Sequence, residues 1–183
     1  MKRSLLLRRH YETVWAGKME HCPFARGPIG QLPADFGVWC MGPRDGRRMW
    51  TYATVEMSQA EDESPIELHM FSPRRSDEVV ELLVAAAHFH RTGTPLGLWH
   101  TVNFGRPWID ESLCDHGLVS LPYLDGPALE DLNTDTCRAK FYWLIPVTLA
   151  EVRYKAMHGV AALEERFEEA GFNYVDPLRS SVV

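Results

Sequence analysis

The sequence has no long hydrophobic run and no clustered cysteines. None of its apolar runs approaches the roughly 20 residues that a membrane-spanning helix needs. The N-terminal segment MKRSLLLRRH has only three consecutive leucines, an apolar core too short for a secretory signal peptide. The four cysteines, Cys22, Cys40, Cys114 and Cys137, form no Cys-x-x-Cys pair. We therefore expect a cytoplasmic protein with reduced, buried thiols and without a membrane partner.

A basic surface is also missing from the chain. The net charge of the 183 residues is −6. No group of Lys and Arg is larger than those in RSLLLRR and GRR, whereas nucleic-acid-binding proteins usually carry a basic face. We therefore expect no nucleic-acid partner. An acidic balance favours basic partners, mainly because it speeds their encounter with the protein.

The motifs of common enzymes do not occur. The sequence contains no Gly-x-Ser-x-Gly, no Gly-x-x-x-x-Gly-Lys and no Gly-x-Gly-x-x-Gly. Asp110 and Glu111 are adjacent, so their carboxylates point apart and do not form an acid/base pair. We expect no catalytic residue and no cofactor.

Histidines are the remaining candidates for a metal site. His88 and His90 are two residues apart on a predicted helix, so they do not share a face. The run Cys-Asp-His at 114–116 is consecutive, which keeps its side chains from converging on one ion. We expect no metal. A small metal-dependent hydrolase that uses His88, His100 and His116 stays open as an alternative.

The length of the chain fits one domain, residues 1–183, and no repeat, low-complexity tract or linker divides it. Residues 1–35 are predicted to form an N-terminal helix, residues 5–16, followed by a loop rich in proline and glycine. Residues 36–183 are predicted to form the core.

Hydrophobic periodicity predicts the elements of this core. The expected strands are residues 36–41, 47–58, 66–71, 98–104, 117–123 and 139–145. The expected helices are residues 77–91, 149–158 and 160–170, and residues 125–136 are expected to be a polar loop. This order predicts an α+β fold with a mixed, mainly antiparallel sheet of about six strands covered by helices, two of them at the C-terminus.

The segment FYWLIPVTLAEVRYKAMHG, residues 141–159, joins the last strand to a helix. Its five leading apolar residues predict a strand that is buried on both faces. Pro146 is expected to end the pairing of this strand because it lacks an N–H. Thr148 and Glu151 have the spacing of a capping box, and Gly159 is predicted to end the helix in the left-handed conformation.

This strand, its Pro-x-Thr and the Glu-bearing helix resemble the closing segment of the Suppressor of fused family, in its bacterial, single-domain type. The resemblance runs from Trp50 onward. It includes MWTYATVEMS (49–58), PIELHMFSP (65–73), DEVVELLVAAAHFH (77–90) and VDPLRSSV (175–182).

The resemblance implies a non-enzymatic protein-binding domain. Animal members bind an extended peptide of a zinc-finger transcription factor by adding it to a sheet as a strand. Their groove has an aromatic residue near the end of a helix, a Phe before the strand and an Asp at its start. These places fall on His88, Leu96 and His100, so the Asp is missing here. With the strand and its flanking tryptophans included, the expected partner-binding residues are His88, Leu96, Trp99, His100, Val102, Phe104 and Trp108.

Bacterial members of the family resemble immunity proteins of polymorphic toxin systems. The resemblance, the acidic charge and the missing catalytic motifs predict that the chain neutralises a protein partner, such as a basic toxin domain. The alternative is a regulatory binder that sequesters a transcription factor or another protein through an extended peptide.

Four residues are expected to have structural roles. Arg179 matches a recurring position of the family and is predicted to clamp loop carbonyls or a carboxylate, with Asp176 as its candidate partner. Thr148 and Glu151 are expected to cap the helix that starts at residue 149.

Overall fold

An eight-stranded sheet forms the centre of the computed structural model, which describes residues 2–183. The strands are β1 (Glu20–Cys22), β2 (Gly37–Met41), β3 (Trp50–Val55), β4 (Ile66–Ser72), β5 (Thr101–Asn103), β6 (Cys114–Ser120), β7 (Asp131–Thr134) and β8 (Cys137–Thr148). The helices are α1 (Arg3–Val14), α2 (Asp77–Thr92), α3 (Pro127–Glu130), α4 (Leu149–His158) and α5 (Val160–Ala170), and a 3-10 helix covers Gly27–Gln31.

The strand order is β1-β2-β3-β4-β8-β6-β5, with β7 paired to the first part of β8. Among the strands of residues 2–183, β4 and β8 pair in parallel, and all other pairs are antiparallel. The predicted α+β class with a mixed, mainly antiparallel sheet is therefore confirmed, with more strands than the sequence pattern indicates. The order places β5 at one end of the sheet.

Helices cover both faces of the sheet because the central strands bury both sets of alternating side chains. Ile66, Leu68 and Met70 of β4 pack with the apolar side of α2 in one cluster. Phe71 and residues of β8 pack with Leu163 of α5 on the other face. On that same face α1 packs against the start of β8.

The helix boundaries follow from local capping. Ser76 accepts a hydrogen bond from the N–H of Val79 at the start of α2, and acidic residues occupy the first turn. Helices α4 and α5 have the predicted bounds. Gly159, between them, has φ 90° and ψ 165°, so it is not in the predicted left-handed helical conformation, although its positive φ favours glycine. Gly171 after α5 is left-handed.

The prediction that pairing stops at Pro146 is wrong, because β8 continues to Thr148 and pairs with β6 throughout that stretch. The carbonyl of Pro146 accepts a hydrogen bond from Arg179 Nη2 at 2.9 Å and not from β6. The N–H and C=O of one residue in an antiparallel strand point to the same side. The missing N–H of Pro146 therefore lies on the side away from β6, where its absence removes no ladder bond.

Two short strands and two short helices were not predicted. Strand β1 and the 3-10 helix lie in the proline- and glycine-rich loop before residue 36, and α3 and β7 lie in the segment predicted as a polar loop. The strand predicted at 98–104 is shorter, because only Thr101–Asn103 has regular pairing. Each unpredicted strand gains its hydrogen bonds from a longer neighbour, β2 for β1 and β8 for β7.

Candidate protein-binding groove

A groove lies between the end of α2, the loop that follows it, β5 and α4. Its volume is about 350 Å³. We call it the β5 groove; its lining residues are Phe89, Thr94, Leu96, Trp99, His100, Thr101 and Lys155. The lining combines apolar and aromatic surface with one ammonium group, a composition suited to a side chain of a protein partner.

The loop from α2 to β5 is fixed by two histidines. His90 is 7 % exposed, and its Nδ1 accepts a hydrogen bond from the N–H of Leu96 at 2.9 Å. Burial lowers the pKa of His90, which favours the neutral ring that can accept this bond. His100 Nδ1 accepts from the N–H of Gly97 at 3.2 Å, and the His100 N–H donates to the Gly97 carbonyl at 3.1 Å. The loop that carries the groove residues therefore has a defined shape.

Trp99 lies in a backbone conformation that is uncommon for a residue with a side chain, with φ 69°. Its N–H donates to the carbonyl of Val119 in β6 at 2.8 Å. Its carbonyl accepts from Lys155 Nζ, which reaches over from α4. Partial burial lowers the pKa of Lys155. Two neighbouring elements thus hold Trp99 in a strained position at the groove.

Strand β5 presents unpaired peptide groups on its outer side. The His100 carbonyl accepts from the N–H of Val119 at 2.9 Å, and the Phe104 N–H donates to Asp115 O at 2.9 Å. Backbone groups alternate sides along a strand, so those of Thr101 and Asn103, between these residues, point away from β6. Within residues 2–183 no strand pairs with this outer side. An edge of this kind can accept an extended peptide as an additional strand.

The charge of the groove differs from that of the whole chain. The chain has a net charge of −6, but among residues 2–183 no carboxylate lines the β5 groove, and Lys155 is the one Lys or Arg in its lining. A basic partner would therefore meet its electrostatic complement outside this groove.

Three of the predicted partner-binding residues line the groove: Leu96, Trp99 and His100. The other lining residues were not among the predicted ones: Phe89, Thr94, Thr101 and Lys155. The resemblance assigns the groove's aromatic place to His88, but His88 Nε2 lies 3.0 Å from Gln31 Oε1, whereas the next residue, Phe89, is 43 % exposed and lines the groove. Consecutive helix residues point about 100° apart, so a shift of one residue changes the surface that is reached.

Three other predicted partner contacts lie in or against the core. Trp108 is 1 % exposed and Val102 is 8 % exposed, and both belong to the core cluster under α2. Phe104 packs against the same cluster, and its ring lies so close to Gly117 that an added Cβ there would come within 2.6 Å of it. The structure therefore places Trp108 and Val102 in the core. They support β5 from behind.

The start of α4, which carries Lys155 to the groove, is fixed by a buried ion pair. Thr148 and Glu151 form the reciprocal capping box, with the Glu151 N–H 3.2 Å from Thr148 Oγ1 and the Thr148 N–H 2.8 Å from Glu151 Oε2. Arg179 donates to both Glu151 oxygens, at 2.7 and 2.8 Å. The carboxylate that the Arg179 guanidinium contacts is thus Glu151 and not Asp176, whose Oδ1 accepts from the N–H of Leu178 and whose carbonyl accepts from the N–H of Arg179 at 3.3 Å. The guanidinium pairs with this carboxylate because a fully buried negative charge requires a compensating cation.

The histidines proposed for a metal site have separate partners. His116 Nδ1 lies 2.6 Å from Asp115 Oδ1, whereas His88 contacts Gln31 and His100 contacts Gly97. In residues 2–183 no three His, Cys, Asp or Glu side chains are grouped so that they could hold a metal ion. Over the same residues, no helix has both the length and the apolar character to cross a membrane.

Solved structures with the same fold include one bacterial relative. A suppressor of fused homologue from Neisseria gonorrhoeae FA 1090 has 31 % identity and a TM-score of 0.85, over 99 % of this chain and 97 % of that one. The Sufu–Fu complex contains a chain with 14 % identity and a TM-score of 0.72, over 98 % of this chain and 92 % of that one. Drosophila Suppressor of Fused has 15 % identity and a TM-score of 0.71, and the match covers 96 % of this chain but only 50 % of the Drosophila protein. The last two likenesses show the fold alone.

A comparison with curated proteins finds no match to this sequence. The family model of Suppressor of fused protein (SUFU), however, matches residues 33–180. That match covers most of the chain and agrees with the bacterial relative, so the chain belongs to the Suppressor of fused family.

Proposed function

We propose that this chain is a non-enzymatic protein-binding domain that holds an extended segment of its partner along the outer side of β5. The observation that carries this proposal is the pair of outward-facing peptide units at Thr101 and Asn103 beside a groove lined by Trp99. Main-chain hydrogen bonds to such an edge supply affinity, and the adjacent groove selects a side chain.

The lining indicates which side chain the β5 groove accepts. Phe89, Leu96 and Trp99 provide apolar contact, and Lys155 provides a positive charge at the rim. A partner residue with an apolar body and a neutral or acidic end fits this environment, whereas a Lys or Arg would be repelled by Lys155.

The partner that we propose is a toxin domain, which the chain neutralises in the cytoplasm as an immunity protein. The resemblance of bacterial family members to immunity proteins suggests this narrower proposal, and the net charge of −6, which would speed encounter with a basic toxin, supports it. We expect the toxin domain to be encoded next to this chain.

Co-expression tests the proposal directly. The toxin domain encoded next to this chain is expressed in a host with the wild-type chain, with Thr101→Pro or with Thr101→Val. Proline removes the outward N–H of residue 101 and leaves the bonds to β6 in place, while valine keeps the N–H. We expect wild type and Thr101→Val to rescue growth and to co-purify with the toxin, and Thr101→Pro to lose both at an unchanged melting temperature. Failure of the wild type to rescue or to co-purify would refute the toxin proposal.

The open edge of β5 also favours a second candidate, a regulatory binder that sequesters another protein through an extended peptide. The same variants separate the candidates. If affinity purification from the native host yields a regulator and no toxin, and Thr101→Pro loses it, the regulatory role is supported.

A further inference from the structure

A second pocket lies on the opposite face of the sheet from α2. It is bounded by β6, β8, α5 and the turn at 121–126, and its volume is about 410 Å³. We call it the α5 pocket; its apolar walls are Leu118, Trp143, Ile145, Phe167, Phe172 and Tyr174. An apolar concavity of this size is large enough to hold a large side chain.

Apolar side chains are also exposed at the rim of the α5 pocket. Tyr123 is 55 % exposed and Leu124 is 45 % exposed, and both line the pocket. The next residue, Asp125, anchors the turn that presents them: its side chain is 1 % exposed and forms an ion pair with Arg47. The N–H groups of Asp125 and Gly126 both donate to the Pro122 carbonyl at 2.8 Å. The turn is thus held in a shape that keeps apolar surface in solvent, which usually marks an interaction site.

The rim of the α5 pocket is acidic. Glu164 and Glu168 line it from α5, and the hydroxyl of Tyr123 donates to Glu164 Oε1 at 2.8 Å. Partial burial, this hydrogen bond and the negative charges of Glu164, Glu130 and Glu168 raise the pKa of Tyr123 to about 12. The only nearby cation on α5, Arg166, pairs instead with Glu169. The rim therefore has a negative potential that the β5 groove does not have.

One wall of the pocket contains an unpaired donor. Trp143 is 3 % exposed, and its Nε1 has no hydrogen-bond partner in residues 2–183. A buried indole N–H usually has an acceptor, and leaving it without one is unfavourable.

We propose that the α5 pocket is a second protein-binding site, which takes a Phe, Leu or similar large apolar side chain flanked by Lys or Arg in a partner segment. The apolar walls bind the side chain, and Glu164 and Glu168 bind the flanking cations. Glu164 and Glu168 give this site an acidic rim, whereas the β5 groove carries the cation Lys155. It does not depend on strand addition at β5.

Titration with short peptides tests this site. The probes are acetyl-Gly-Lys-Phe-Lys-Gly-amide, the same peptide with Ala for Phe, and the same peptide with Glu for both Lys. Binding is followed through the indole N–H signals of the six tryptophans by NMR, with the Trp143 signal assigned from Trp143→Phe. We expect the Lys-Phe-Lys peptide to shift the Trp143 signal saturably, with an affinity about tenfold or more above that of either control peptide.

Charge reversal on α5 supplies matched variants. Glu168→Lys should lower the affinity for the Lys-Phe-Lys peptide by about threefold or more, which is the range of an exposed ion pair. Glu165→Lys, on the same helix but outside the pocket lining, should have a clearly smaller effect. Thr101→Pro should bind the peptide like the wild type, so failure at this site and failure at β5 can be told apart.

Three results would each overturn the proposal. One is the absence of a saturable shift of Trp143 with the Lys-Phe-Lys peptide. Another is equal binding of the Glu-Phe-Glu peptide. The third is a Trp143 signal that moves with protein concentration alone, because the pocket would then be a contact between copies of this chain.

Discussion

Arg179 and Glu151 form a fully buried, two-point ion pair, with Nη1–Oε1 at 2.7 Å and Nη2–Oε2 at 2.8 Å. Glu151 also accepts from the N–H of Val182 at 3.1 Å, and Arg179 donates to the Pro146 carbonyl. The pair therefore connects three parts of the chain: the end of β8, the first turn of α4 and the C-terminal segment. Because α4 carries Lys155, this pair fixes one wall of the β5 groove.

Arg179→Lys is expected to destabilise the fold by about 2 kcal/mol, because an ammonium cannot replace both charge-assisted hydrogen bonds of the guanidinium. Arg179→Leu, which leaves Glu151 as an uncompensated buried charge, should cost about 3–5 kcal/mol. Urea denaturation measures both free energies of unfolding. Equal stability of wild type and Arg179→Lys would show that the pair does not act as a clamp.

His69 is expected to make stability depend on pH. Burial, and secondarily the charge of Arg47, lowers the pKa of His69 to about 3 in the folded protein, below the ordinary value of 6.5. The unfolded chain therefore binds the proton first, and the stabilising contribution present above pH 6.5 is lost as the pH falls towards 3. Relative to His69→Phe, the wild type should lose up to about 1.4 kcal/mol per pH unit over that interval. The check is urea denaturation of both proteins between pH 7 and 4, and parallel stability curves would contradict the prediction.

His90 is expected to act as the acceptor that positions the groove loop. His90→Leu should leave the Leu96 N–H without its acceptor and cost about 1–3 kcal/mol. His90→Asn, which offers a side-chain oxygen, should recover part of that loss. Hydrogen exchange of the Leu96 amide, followed by NMR, should be faster in His90→Leu than in wild type and intermediate in His90→Asn. An unchanged exchange rate in His90→Leu would show that the loop is held by other contacts.

The two tryptophans that flank β5 are expected to respond in opposite ways to replacement. Trp108→Ala removes a side chain that is 1 % exposed, so it should lower stability by about 3–5 kcal/mol. Trp99→Ala should change stability far less but weaken partner binding by about tenfold, as for an aromatic anchor in an interface. Thermal unfolding and co-purification measure the two effects. A stable Trp108→Ala protein, or full binding by Trp99→Ala, would contradict these roles.

The parts of the fold that could be predicted from sequence are those that local chemistry specifies. Thr148, Glu151 and Gly171 carry the signals for the start of α4 and the end of α5, and both helices have their predicted bounds. Strand β7 could not be predicted, because Asp131–Thr134 is polar and becomes a strand only by pairing with β8. Pro146 wrongly indicated the end of β8 because the effect of a proline on pairing also depends on the neighbouring strand. Only the sheet determines which side its missing N–H faces.

The sequence indicates the segment that carries the candidate groove better than it indicates the single residues that line it. A short strand flanked by aromatic residues marked the region of β5, and Trp99 and His100 do line the groove. Trp108 could not be distinguished from Trp99 by sequence, because both lie near glycine and proline and only the tertiary fold buries one of them. Lys155 lies 55 positions beyond His100, and it reaches the groove because the Arg179–Glu151 pair fixes the start of α4. No local pattern encodes such a contact.

Amide hydrogen exchange along β5, measured with and without the co-purified partner, tests the central claim most directly. If the partner adds as a strand, the amides of Thr101 and Asn103 should become protected on binding, while that of Val102, which faces β6, should change little. Unchanged exchange at Thr101 and Asn103 in a saturated complex would show that the partner binds elsewhere.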